Sequence, residues 1–101
     1  MRSVGRQKEI RKRLRVLMPL ASMDDFQEVE KIASAGHLRH LPPSIAAWQA
    51  LTTHIRHNHT DYDALLSEGY DPDSARHFVV DTMNELLETW GSAERISDQE
   101  T

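Results

Sequence analysis

This sequence predicts an all-α domain, a compact bundle-like or orthogonal arrangement of four to five helices. Three observations carry that expectation. Apolar residues recur at i, i+3 or i+4, and i+7 through most of the chain, the spacing of one helix face. Helix-starting and helix-stopping residues bracket those stretches. No stretch alternates apolar and polar residues with period two, and β-branched residues do not cluster.

The first helix is expected from about Arg6 to Met18. Ile10, Leu14 and Leu17 share one face, and Pro19 disfavours helical geometry in the residue before it. The second starts after Ser22, with Asp24 and Asp25 placed to complement the helix dipole. Phe26, Val29, Ile32 and Ala33 form its apolar face, and Gly36 is expected to close it in a left-handed conformation. A connector, HLRHLPPS, leads to a third helix opening near Pro43 or Ser44, with Ile45, Trp48, Leu51 or Thr52, and Ile55 repeating at helical spacing. A short fourth helix is read in TDYDALLSEG, with Thr60 and Asp63 as a capping box and Gly69 as its stop. The last opens on Asp71 and Pro72, carries Ala75, Val79, Met83, Leu86 and Trp90 as a stripe, and closes at Gly91. Residues 1–20 thus read as a basic N-terminal helix or arm, 21–91 as the helical domain, and 92–101 as a disordered polar tail.

With 101 residues, 39% of them hydrophobic, the chain has the length of one small domain. It has no cysteine, which excludes disulfides, thiolate metal sites and a cysteine nucleophile and fits a reducing, cytoplasmic setting. No run approaches the roughly 18 apolar residues that span a bilayer, so no membrane partner is expected. The apolar run VLMPLA is too short for a secretory core. The four glycines are widely spaced, so there is no phosphate-cradling loop, and no cofactor is expected.

The chemistry concentrates in HIRHNHTDYD, residues 54–63. If the third helix ran on through it, His54, His57 and Asp61 would line one face at i, i+3 and i+7, a plausible ligand set for zinc or a similar ion. If the helix stops near Asn58, Thr60 caps a new one, and Asp61 and Asp63 complement its dipole. The break is the better-supported reading, because T-D-Y-D before a leucine pair is a strong start signal. His59 is then a corner residue and Tyr62 an anchor with a buried ring. His57 with Asp61 or Asp63 is the remaining acid–base arrangement.

The string from His54 to Gly91 resembles the pattern H-[IV]-R-H-x-x-T-x-Y-D-x-L-L, a glycine, A-R, and a helix ending in Trp, of domain-of-unknown-function family 2293. It is carried here by His54, Ile55, Arg56, His57, Thr60, Tyr62, Asp63, Leu65, Leu66, Gly69, Ala75, Arg76 and Trp90. The preceding HLRHLPPSIAAWQALTTH is similar to bacterial members, so the resemblance covers residues 37–91. It implies membership and no activity. It also implies that Arg56 belongs with the motif, with an Arg56–Asp63 or Arg76–Asp63 pair as a lock across the corner.

Charge is distributed unevenly. Residues 1–15 hold seven basic residues against Glu9 alone, a net +6, whereas the whole chain is −4. Arg6, Lys8, Arg11, Lys12, Arg13 and Arg15 are the candidates for contact with phosphate or with a protein partner. Asp81, Glu85 and Glu88 form an acidic row on the last helix, which the arm could neutralise within one chain or across a homodimer. The expected function is a small non-enzymatic binding module, for a protein partner or for nucleic acid through the arm. The alternative is a metal-dependent hydrolase built on His54, His57 and Asp61, with His59 assisting.

Overall fold

The computed structural model describes residues 2–97, with side chains from residue 5 onward. Five α-helices follow in order: α1 (Arg2–Leu17), α2 (Met23–Ala33), α3 (Pro43–Asn58), α4 (Tyr62–Ser67) and α5 (Pro72–Thr89). A 3₁₀ turn, Gly36–Leu38, lies between α2 and α3. The fold is all-α, with no strand among the described residues. No helix is long and apolar enough to cross a membrane.

Helix α3 is the hub, packed against α1, α2 and α5. Its inner face is Ala46, Ala47, Ala50, Leu51 and Ile55, all essentially without solvent contact. Small side chains there allow neighbouring helices to come close. Ile10, Leu14 and Leu17 of α1, Met18 just after it, Val29 of α2, and Met83 and Leu87 of α5 are the other large side chains that are fully buried. Two expectations about the core need correction. Ile45 is 45% exposed, because the alanines fill the buried stripe and leave Ile45 on the outward face with Gln49 and Arg56. Phe26, Trp48, Leu66 and Leu86 are only partly buried against the core.

The chain's punctuation follows local chemistry. Ser22 caps α2: its Oγ accepts from the Asp25 N–H (3.1 Å) and donates to Asp25 Oδ2 (2.9 Å). Gly36 does not close α2 in a left-handed turn. Ser34 is the C-cap, and Gly36 opens the 3₁₀ turn instead. Asp71 caps α5 by accepting from the Ser74 N–H at 2.8 Å, with Pro72 in the first turn. Gly69 (φ 104°) and Gly91 (φ 84°) do take the left-handed region after α4 and α5.

The two ends of the domain meet at Gly91. The Leu20 N–H donates to the Trp90 carbonyl at 2.9 Å. A Cβ at Gly91 would lie 3.0 Å from Pro19 Cγ. Beyond it, the expected disordered tail is replaced as far as Ser97 by a folded-back segment. Ile96 is buried, its N–H donates to Asn84 Oδ1 (2.7 Å), and its carbonyl accepts from Asn84 Nδ2 (2.9 Å). One apolar side chain and one buried amide supply what the polar composition of 92–97 conceals. Residues 98–101 lie outside the described residues.

Candidate functional site

Helix α3 stops at Asn58, so HIRHNHTDYD is a corner and not a continuous helical face. Two of its histidines converge on one carboxylate and the third turns away. His54, almost fully buried, turns inward, and its Nε2 lies 2.7 Å from Asp25 Oδ1 at the start of α2. His59, at the C-cap of α3, places its own Nε2 2.8 Å from the same oxygen. The two imidazoles meet edge to face, with ring centroids 5.4 Å apart, and His59 in turn sits edge-on to Trp90. His57 points outward and pairs with Asp63 across the corner at 2.7 Å, with both side chains exposed. Asp61 is exposed at the N-cap of α4 and makes no capping bond.

The structure thus separates His54 from His57 and Asp61 and brings it to Asp25 and His59. The ligand atoms of Asp25, His54 and His59 lie within 4.8 Å of one another. His37, His40 and His77 are not part of this group. Sequence reasoning missed Asp25 as a member. It stood out only as an acid in the first turn of α2, and nothing local to it signals partners 29 and 34 residues away.

The tautomer of His54 follows from its other nitrogen. The Asn58 side-chain amide lies 3.2 Å from His54 Nδ1 and donates to the His54 carbonyl at 3.1 Å. An NH2 group facing Nδ1 requires a lone pair there, so the ring proton is on Nε2 and donates to Asp25. The Asp25 carboxylate receives donors on both oxygens. Burial works to raise its pKa, and the hydrogen bonds from His54, His59 and Ser22 outweigh that and bring it down to about 2.

The rest of the motif is structural. Thr60 Oγ1 donates to the Arg56 carbonyl and accepts from the Tyr62 N–H at 3.1 Å, so Thr60 closes the corner without forming a box with Asp63. The Tyr62 ring is buried, edge-on to His57, with the Arg56 guanidinium 5.8 Å from its centre. The anticipated arginine lock is absent. Asp63 takes His57, and Arg76 takes Asp73 at 3.1 Å. Arg56 makes no ion pair among the described residues, and its Nε is buried without a hydrogen-bond partner. Its pKa is lowered, first by burial and then by the Arg76 guanidinium nearby.

The basic residues of α1 divide between two roles. Arg6 donates to the carbonyls of Leu41 (2.7 Å) and Leu38 (2.9 Å), tying α1 to the connector before α3. Arg11 pairs with Glu30 of α2 at 2.7 Å. Lys8, Lys12 and Arg15 lie at i, i+4 and i+7 on the outward face and make no ion pair among the described residues. Arg13 faces a groove with Trp48, Glu94 and Arg95, and its Nε too is buried and unpaired. Within one chain, then, the ion pair of the arm goes to α2. The acidic row Asp81, Glu85 and Glu88 stays exposed, with Arg95 beside it.

Residues 13–91 match the model of a family described as Uncharacterized conserved protein (DUF2293). The chain belongs to this family. No curated protein and no solved structure matches it. The DUF2293 match takes in Asp25, His54 and His59, the outward face of α3, and Arg13 and Arg15 at the end of α1. Arg6, Lys8, Arg11 and Lys12 lie before it, and Arg95 after it.

Proposed function

We propose that this DUF2293 domain is a non-enzymatic binding module whose partner is nucleic acid. The observation that carries the reading is a set of cations with no carboxylate partner among the described residues: Lys8, Lys12 and Arg15 in one exposed row, and Arg56. Arginine and lysine left free in this way bind phosphate by releasing counterions, which needs no base-specific contact. Arg6 and Arg11 serve the fold and are excluded from the contact set. The test is fluorescence anisotropy of a labelled oligonucleotide across a salt series. Binding at low salt with a steep salt slope is expected, and the triple change of Lys8, Lys12 and Arg15 to Ala should flatten it by up to about 0.9 per lost contact. Absence of binding at low salt removes the reading.

A divalent-ion site is the second reading, favoured by the convergence of Asp25, His54 and His59. Three protein ligands with an open position is the pattern of catalytic zinc. The outer partner of His54 argues the other way. A metal-bound Nε2 needs its Nδ1–H accepted by an oxygen, and here Asn58 presents its NH2. Elemental analysis of tag-free protein purified without chelator decides. About one metal per chain, lost in His59→Ala with the fold intact, would bring this reading forward.

A further inference from the structure

We infer that the groove on either side of Trp48 holds a segment of single-stranded nucleic acid, with one base stacked on the indole and flanking phosphates on Arg56 and Arg13. The inference rests on the nucleic-acid reading and assigns it a second, more specific contact. Trp48 stands half-buried on α3 and is shared by two adjoining grooves. The larger, about 460 Å³, continues along α3 over Gln49, Thr52 and Thr53 to Arg56. The smaller leads to Arg13, Arg95 and Glu94. Each groove is lined by an arginine whose buried Nε has no hydrogen-bond partner among the described residues.

A buried donor without an acceptor is costly, and native folds rarely leave one. Here two line the grooves that share one aromatic side chain. Arg56 has no carboxylate partner among the described residues; Tyr62 favours its charge, but burial and the second guanidinium, Arg76, outweigh that. The buried Nε atoms are out of a ligand's reach, but the terminal nitrogens of both guanidiniums are accessible and without a hydrogen-bond partner among the described residues, and phosphate oxygens pair with them as arginine's planar fork allows. An indole between two phosphate-seeking arginines suits an unpaired base, whose free π-face stacks whatever its identity. Bases in a duplex are already stacked and do not reach such a side chain. Among the described residues, Glu94 is the carboxylate lining these grooves, and it limits how far phosphate can extend past Arg13.

The experiment titrates the full chain with oligothymidylate at low salt and follows Trp48 emission in a Trp90→Phe background, where Trp48 is the remaining indole. Quenching of that emission is expected, with affinity about five-fold or more weaker in Trp48→Leu, retained in Trp48→Phe, and weakened in Arg56→Gln. Heparin, a polyanion without bases, should bind without quenching. The affinities are measured in the otherwise unaltered chain as well, with helicity checked by circular dichroism, so the inference stays testable if Trp90→Phe folds poorly. Oligothymidylate binding that leaves Trp48 emission unchanged and ignores Trp48→Leu overturns the inference while the row Lys8, Lys12 and Arg15 still accounts for binding. Failure of both oligothymidylate and heparin to bind overturns the inference and the nucleic-acid reading together.

Discussion

The Asn58 amide donates toward Nδ1 of His54, and this contact decides which nitrogen of His54 faces Asp25. It makes the histidine group a hydrogen-bonded clasp between the end of α3 and the start of α2. Nitrogen NMR at neutral pH should therefore find His54 protonated at Nε2 and bare at Nδ1. A signal from Nδ1–H would reverse the assignment and restore the ring as a metal ligand.

Strong acid should weaken this clasp. The folded-state pKa of Asp25, about 2, lies below its ordinary 3.8. The unfolded chain thus binds the proton more tightly, and the stabilisation is fully present above about pH 4 and is lost as pH falls toward 2. Its size is on the order of 2 kcal/mol at most. Urea midpoints measured between pH 5 and pH 2 should fall, and Asp25→Asn should start lower and flatten that decline. An unchanged slope in the variant would mean that other carboxylates govern acid stability.

The two histidine–aspartate pairs of the motif should differ in weight. His54→Ala removes a buried donor and leaves Asp25 under-satisfied, at a cost of about 1–3 kcal/mol. His57→Ala breaks an exposed pair and should cost under about 1 kcal/mol. Equal losses in denaturant melts would contradict the burial described for them.

Trp90 and Ile45 make a contrasting pair in the core. Trp90 is 6% exposed and seats His59, so Trp90→Ala should cost about 3–5 kcal/mol. Ile45→Ala, on the outward face, should stay within about 1 kcal/mol. Thermal melts of the two variants side by side test the orientation of α3.

Asn84 holds Ile96 by both backbone groups, so Asn84→Ala should release the tail. Fast amide exchange at Ile96 with slow exchange retained at Met83 and Leu87 is the expected pattern. Protection that survives at Ile96 would show that the apolar side chain alone anchors it.

The helices were legible where their causes are local. Ser22, Asp71 with Pro72, Gly69 and Gly91 each mark a helix end within a few residues, and the structure uses all of them. The break at Asn58 belongs to the same class. The site was less legible because its bonds are distant in sequence. His54 had two acids near it in the chain, Asp61 and Asp63, and took neither. The turn at His59 carries α4 away from the buried face where α2 presents Asp25. Ile45 misled for a related reason. Three alanines outweigh one isoleucine in setting which face of α3 is inside, and an apolar count by residue type does not weigh closeness of packing. Ile96 was obscured by the polar residues around it.

The bond from Leu20 to Trp90 has a consequence for the order of assembly. Helices α1, α2 and α3 pack mainly on one another, and on a ribosome they could do so while α5 is still being made. The turn between α1 and α2 would then wait, with the Leu20 amide unmet, for a carbonyl 70 positions later in the chain. A chain that stops short of Trp90 leaves the Leu20 N–H to water, at an edge where Pro19 and Leu20 are already exposed.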